Sequence, residues 1–115
     1  MSRLAELSCE ACRKSAKMLS SDEISTLMLE LKGWELIVDP DIQKLRRLFP
    51  VKNYTKAVKL TNEIARLAES ANHHPQIILE YGSITVVWWS HIIKGLHNND
   101  FIMADRTSRL FEQND

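Results

Sequence analysis

Two alternating apolar runs, Gln76 to Tyr81 and Ile84 to His91, stand on either side of Gly82-Ser83, and this arrangement constrains the fold most. A two-residue loop led by Gly suits a type II′ hairpin turn, and the loop then fixes which residues face each other. With Gly82 and Ser83 as the loop, Tyr81 faces Ile84, Leu79 faces Val86 and Ile77 faces Trp88. Carried past Pro75, the same ladder sets His74 opposite His91. Alternation sorts the side chains. Ile77, Leu79, Tyr81, Ile84, Val86 and Trp88 make one apolar face, while Glu80, Thr85, Val87, Trp89 and His91 make a mixed one suited to a pocket wall or a subunit contact. A sheet that is apolar on one side requires helices to cover that side.

The remaining chain supplies those helices. Ser20 and Glu23 have the spacing of a capping box, and Ile24, Leu27, Met28 and Leu31 follow at helical intervals, with Gly33 placed to close the helix. Trp34 to Val38 and Ile42 to Phe49 read as strands around the turn signal Asp39-Pro40-Asp41. Pro50 cannot donate to a ladder, so the second strand ends there or lies at an edge. Lys44, Arg46 and Arg47 read as its solvated face. Asn53 caps a long helix to about Ala71 whose buried stripe is Ala57, Leu60, Ile64, Leu67, Ala68 and Ala71. A last helix begins near Asn98 to Asp100 and runs to about Glu112, with Phe101, Ala104, Ser108 and Phe111 on one side. The expected fold is α+β: a four-stranded antiparallel sheet with three helices packed on one face, in the order α-β-β-α-β-β-α. At 115 residues the chain holds one domain, expected over residues 20–115, behind a partly ordered leader over residues 1–19.

Charge excludes several classes of function. Fifteen basic residues balance fifteen acidic ones, which argues against direct nucleic-acid binding by phosphate neutralisation. A hydrophobic share of 44% with 26% charged residues argues against disorder. No apolar run approaches the ~20 residues that span a bilayer. The opening Met1-Ser2-Arg3-Leu4-Ala5-Glu6 lacks the apolar stretch of a secretory signal, so the expected location is the cytoplasm, without a membrane partner. Cys9 and Cys12 supply at most half of a four-ligand zinc site, and no strand pattern precedes them as a redox Cys-x-x-Cys requires; they read as reduced thiols in the leader.

All four histidines fall between positions 73 and 97. His73 and His74 sit where the long helix ends, aimed at His91 across the hairpin, and Glu69, one turn before His73, is placed to hold that ring. Imidazole titrates near ~6.5 and suits acid–base chemistry, and three histidines also suit a zinc site. Adjacent His73 and His74 chelate jointly less readily than an i,i+4 pair, which tilts the reading towards acid–base work. Trp88 reads as core, and Trp89 either flanks a flat aromatic ligand or packs in an interface.

Glu69-Ser-Ala-Asn-His73-His74-Pro75, followed by Tyr81, His91 and Asp100, resembles the signature of the pterin-4a-carbinolamine dehydratases, the 4a-hydroxytetrahydrobiopterin dehydratases. The likeness extends to Gly33-Trp34, Leu45-x-Arg47-x-Phe49, Thr61-Asn62 and Gly95-Leu96 with Asp100-Phe101, covering about residues 20 to 112. It implies the same α+β fold. It also implies a lyase that needs no metal or other cofactor, removing water from 4a-hydroxytetrahydropterin to give quinonoid dihydropterin in tetrahydrobiopterin recycling. His73, His74 and His91 correspond to the family's catalytic histidines, with Glu69 and Asp100 supporting them. Substrate contacts correspond to His73, His74 and Pro75 and to Ser90, His91, Ile92 and Ile93. The implied partners are a small-molecule pterin and further copies of the chain, as a homodimer or homotetramer.

The sequence departs from the family pattern at Ser90 and Ile92, where Thr and an acidic residue are usual, and at Asn72, where Asp is common. A competing expectation keeps the fold without the chemistry, as a dimeric binding module. An animal member of the family serves as a dimerisation cofactor for a homeodomain transcription factor.

Overall fold

The ladder between Gln76–Glu80 and Ser83–Trp88 pairs Leu79 with Ile84, Ile77 with Val86 and Glu80 with Ser83, so the hairpin loop is Tyr81-Gly82. In this computed structural model, which describes residues 18–114, that hairpin is half of one four-stranded antiparallel sheet. The elements are α1 (Ser21–Met28), β1 (Glu35–Val38), β2 (Gln43–Pro50), α2 (Tyr54–Ala71), β3 (Gln76–Glu80), β4 (Ser83–Trp88) and α3 (Asn98–Gln113), with the strands in the order β1-β2-β4-β3. Element order and fold class are those expected from the sequence. Cys9 and Cys12, and most of the expected leader, lie outside the described residues.

The hairpin register differs from expectation by two residues, and the cause is tertiary. Ser83 pairs with Pro50 of β2, and Val51 N–H donates to Gly82 O at 2.8 Å, so a third strand draws Ser83 into the ladder. Gly82 then occupies the second loop position with φ 88°, where a type II turn needs positive φ, rather than leading a type II′ turn. A slip of two leaves every side chain on its expected face. Ile84, Val86 and Trp88 are fully buried, with Ile77 and Leu79 packed against the same core. Tyr81 leaves the face altogether and is 81% exposed.

Helices cover that face. Ala57, Leu60, Ile64 and Ala68 of α2 and Phe101, Met103 and Ala104 of α3 share one core with Leu45, Phe49, Ile84, Val86 and Trp88 of the sheet, and Ile24 of α1 joins it. The Ser20–Glu23 capping box forms with both reciprocal hydrogen bonds. Gly33 does not close α1. The helix ends at Met28 and tightens into i→i−3 bonds through Leu31, which still reaches the core. Gly33 instead turns the chain into β1 with φ 89°, and a β-carbon there would lie 2.8 Å from Arg47 Cζ.

The basic triplet of β2 is not a solvated face. Arg46 is exposed and pairs with Glu35 at 2.7 Å. Arg47 points to the helix side, over the ring of Phe49 at 4.5 Å and bonded to Ser108 Oγ at 3.0 Å. Its burial pulls the guanidinium below its usual range, opposed by the Glu112 carboxylate. Lys44 is buried. Strand alternation separates Arg47 from its neighbours, and lateral packing covers Lys44.

Candidate active site

The site is built where α2 ends. Asn72 adopts the left-handed conformation (φ 51°), and His73 N–H to Ala68 O at 3.1 Å with Asn72 N–H to Glu69 O at 3.2 Å form the paired bonds of a Schellman closure. Pro75 prevents continuation, and His73 and His74, between α2 and β3, diverge. His73 turns inward, 5% exposed, its ring parallel to Trp88 (3°) at 5.6 Å between centroids. His74 stays exposed, with Nε2 3.5 Å from Glu69 Oε1. Glu69 therefore approaches His74 and not His73. Once Asn72 reverses the backbone, the i,i+4 relation of a helix no longer governs where His73 points.

The partner of His73 is Asp100. His73 Nε2 and Asp100 Oδ1 are 2.7 Å apart, and both side chains are buried. The other carboxylate oxygen accepts from Ser90 Oγ at 2.7 Å and from His97 N–H at 2.9 Å. Asp100 is the third residue of α3 and completes a capping box with His97, whose Nδ1 accepts from Asn99 N–H at 3.2 Å. A carboxylate in the first turn also meets the positive end of the helix. With Oδ2 engaged by two donors, Oδ1 is the acceptor for the His73 N–H. That fixes a hydrogen on Nε2 and leaves Nδ1 as the ring nitrogen outside this pair.

The loop after β4 carries the third histidine. Ser90 and Gly95 form an isolated bridge, with Ser90 N–H donating to Gly95 O at 2.9 Å, and Lys94 takes a left-handed φ of 52° to close the turn between them. Within it His91 is exposed and its Nε2 donates to His74 O at 3.0 Å, because a carbonyl can only accept. His74 is not opposite His91 in the ladder. The two meet because the loop folds back onto the His74 backbone. Ile92 is 52% exposed and Ile93 and Pro75 are half-buried at the rim.

Three segments are thus locked together: the end of α2 through His73, the loop through Ser90 and His91, and the start of α3 through Asp100. Among the described residues, no group of three or more His, Cys, Asp or Glu is placed to hold a metal ion. Two cavities lie away from the histidines. One of about 130 Å³ is lined by Lys52, Lys56, Lys59, Leu60 and Phe111, and one of about 360 Å³ by Gly33, Arg47, Asp105 and Ser108.

Sequence reasoning missed two contributors. His97 was legible as the start of a His-x-x-Asp box, in the same spacing that marked Ser20. Lys44 carried no sequence signal, since its burial depends on the neighbouring strands.

Residues 17–110 match the family described as pterin 4 alpha carbinolamine dehydratase. The chain belongs to that family. A protein of Nitrosococcus oceani provisionally named pterin-4-alpha-carbinolamine dehydratase is 47% identical over 112 residues, covering 97% of this chain and 99% of the relative. A Marinobacter nauticus protein of the same provisional name is 47% identical over 96% of this chain and 100% of its own. A crystal structure named for a transcriptional coactivator/pterin dehydratase of Brucella melitensis superposes with TM-score 0.75 over 82% of this chain and 98% of that one, at 23% identity. That likeness establishes the shared fold, and the dehydratase family is one of hydro-lyases.

Proposed function

We propose that the chain dehydrates a 4a-hydroxytetrahydropterin to the quinonoid dihydropterin, with histidines as general acid and base. The observation that carries this reading is the His73–Asp100 pair: a buried carboxylate fixes the ring so that Nδ1 alone is left for a ligand. In the reaction the C4a–O bond breaks and the oxygen leaves as water, taking a proton from an acid. A ring N–H proton passes to a base. His73 and His91 are assigned to the hydroxyl and its departing water; Nε2 of each is held, and the ring that acts as acid carries a second proton on Nδ1, which it gives to the leaving oxygen. His74 orients the pterin and exchanges a proton with Glu69, 3.5 Å away. One positioned acid or base typically contributes ~10²–10⁴-fold. Ser90 supports Asp100 through its hydroxyl and its backbone N–H and C=O are taken up by Gly95, so backbone contacts to the pterin fall to His91, Ile92 and Ile93, with Pro75 flanking them.

The physiological setting we assign is tetrahydrobiopterin recycling in the cytoplasm by a homodimer or homotetramer. Replacing His73, His74 and His91 singly with Ala is expected to depress carbinolamine dehydration severely while circular dichroism stays that of the folded protein. Turnover that survives all three changes overturns the assignment. A second reading, a binding module on the same fold, is favoured by Leu48 (52% exposed) and Ile78 (41%), which lie on the sheet face opposite the helices. A chain that binds pterin without accelerating water loss would select it.

A further inference from the structure

Lysine is almost never buried without a partner. The Lys44 side chain is nevertheless only 11% exposed, and its nearest carboxylate, Asp39, is 3.9 Å away and itself 71% exposed. The register explains where the ammonium goes. Ile37 of β1 stands opposite Lys44, and because Leu45 pairs with Trp88, the next step of the ladder brings Lys44 beside Trp89. Lys44 Nζ lies 4.1 Å from the centroid of the Trp89 ring, a cation–π contact in a largely desolvated place. Trp89 then touches the ring of His91, with centroids 4.4 Å apart and planes tilted by 40°. His91 completes the row by donating from Nε2 to His74 O.

His91 rides on a loop after β4 has ended, whereas Lys44 is the second residue of β2, an inner strand of the sheet. The row therefore ties an exposed loop side chain to β2, one residue before its ladder with β4 begins. We infer that Lys44 is a positioning residue for His91: it clamps the Trp89 indole from β2, and the indole holds the imidazole with Nε2 on His74 O and Nδ1 free for a ligand. The catalytic consequence rests on the dehydratase reading above. The geometric claim stands without it.

The test uses Lys44→Met, which keeps the stem and removes the charge, and Lys44→Arg, which keeps a cation. Replacing a buried charge by an apolar group of similar size is often neutral or stabilising, so Lys44→Met is expected to fold with an unchanged or higher Tm. Its kcat for dehydration is expected to fall about tenfold with KM little moved, from the strength of a desolvated cation–π contact. Lys44→Arg should restore most of the loss. In ¹⁵N spectra of the histidine side chains, His91 should lose its single Nε2–H tautomer in Lys44→Met and keep it in Lys44→Arg. Adding Lys44→Met to Trp89→Leu should cost nothing further, because the indole is the link. An unchanged His91 tautomer in Lys44→Met overturns the inference. Wild-type kcat in Lys44→Met, in a protein that His91→Ala disables, overturns it too. If the wild-type protein itself does not dehydrate the carbinolamine, the functional reading fails instead, and the tautomer measurement still decides the role of Lys44.

Discussion

Replacing Asp100 separates the structural and chemical demands on one carboxylate. Its side chain is wholly buried and accepts from His73 Nε2, Ser90 Oγ and His97 N–H at 2.7, 2.7 and 2.9 Å. In Asp100→Ala all three donors lose their acceptor. Each buried donor left unpaired costs about 1–3 kcal/mol, and water entering the vacated space offsets part of the sum, so about 3–5 kcal/mol is expected. At this chain length that lowers Tm by roughly 12–20 °C. Asp100→Asn keeps the shape and one acceptor. The His97 backbone N–H cannot change role, so the amide oxygen must stay on that side and the NH₂ must face His73. His73 Nε2 is then forced to accept, and its hydrogen moves to Nδ1. The expected result is a folded protein, destabilised by about 1–3 kcal/mol, whose dehydration rate falls ~10²–10⁴-fold because the hydrogen is fixed on the wrong ring nitrogen and the ring loses the carboxylate that supports its proton transfer. Stopped-flow absorbance on freshly generated carbinolamine and thermal unfolding by circular dichroism measure the two effects. A folded Asp100→Asn protein that turns over within about threefold of wild type would refute the tautomer argument, since threefold lies far below that expected loss.

Other substitutions probe the scaffold around the site. Asn72→Ala should be less stable than Asn72→Gly by about 1 kcal/mol in urea unfolding, because φ 51° penalises a β-carbon that glycine lacks. Thr107→Val removes the acceptor at 3.0 Å from the buried Trp88 Nε1–H and should cost about 1–3 kcal/mol in the same measurement. The Glu23 carboxyl is held below its usual range, first by the Ser20 backbone N–H and then by the Ser20 hydroxyl. Its support for α1 is therefore full above the unfolded carboxyl pKa and lost as pH falls through the lowered folded value. Amide exchange in α1 should accelerate over that acidic window in the wild type and show no such step in Glu23→Gln.

Much of the scaffold was legible because it depends on short-range rules. The capping box at Ser20, the Asn53 cap, the stripe of α2 and the alternation of β3 and β4 are each written within a few residues. The apolar face survived an error in the loop because a slip of two preserves alternation, although Tyr81, assigned to that face, ended in the turn. The site was legible as a set of residues more than as a set of contacts. Asp100, set in a supporting position by the family resemblance, bonds His73 and Ser90, yet Glu69 serves the other histidine, and the His74–His91 contact runs through a backbone carbonyl.

The sequence by itself determined the element order, the buried face and the family, since periodicity, caps and dispersed motif residues are local or additive signals. Only the tertiary structure decided the hairpin register, the partner of His73 and the burial of Lys44. Each of these depends on a strand or helix distant in the chain: β2 draws Ser83 into the ladder, α3 brings Asp100 to His73, and the end of β4 lays Trp89 over Lys44. Long-range packing selects among arrangements that local preferences leave equal in energy.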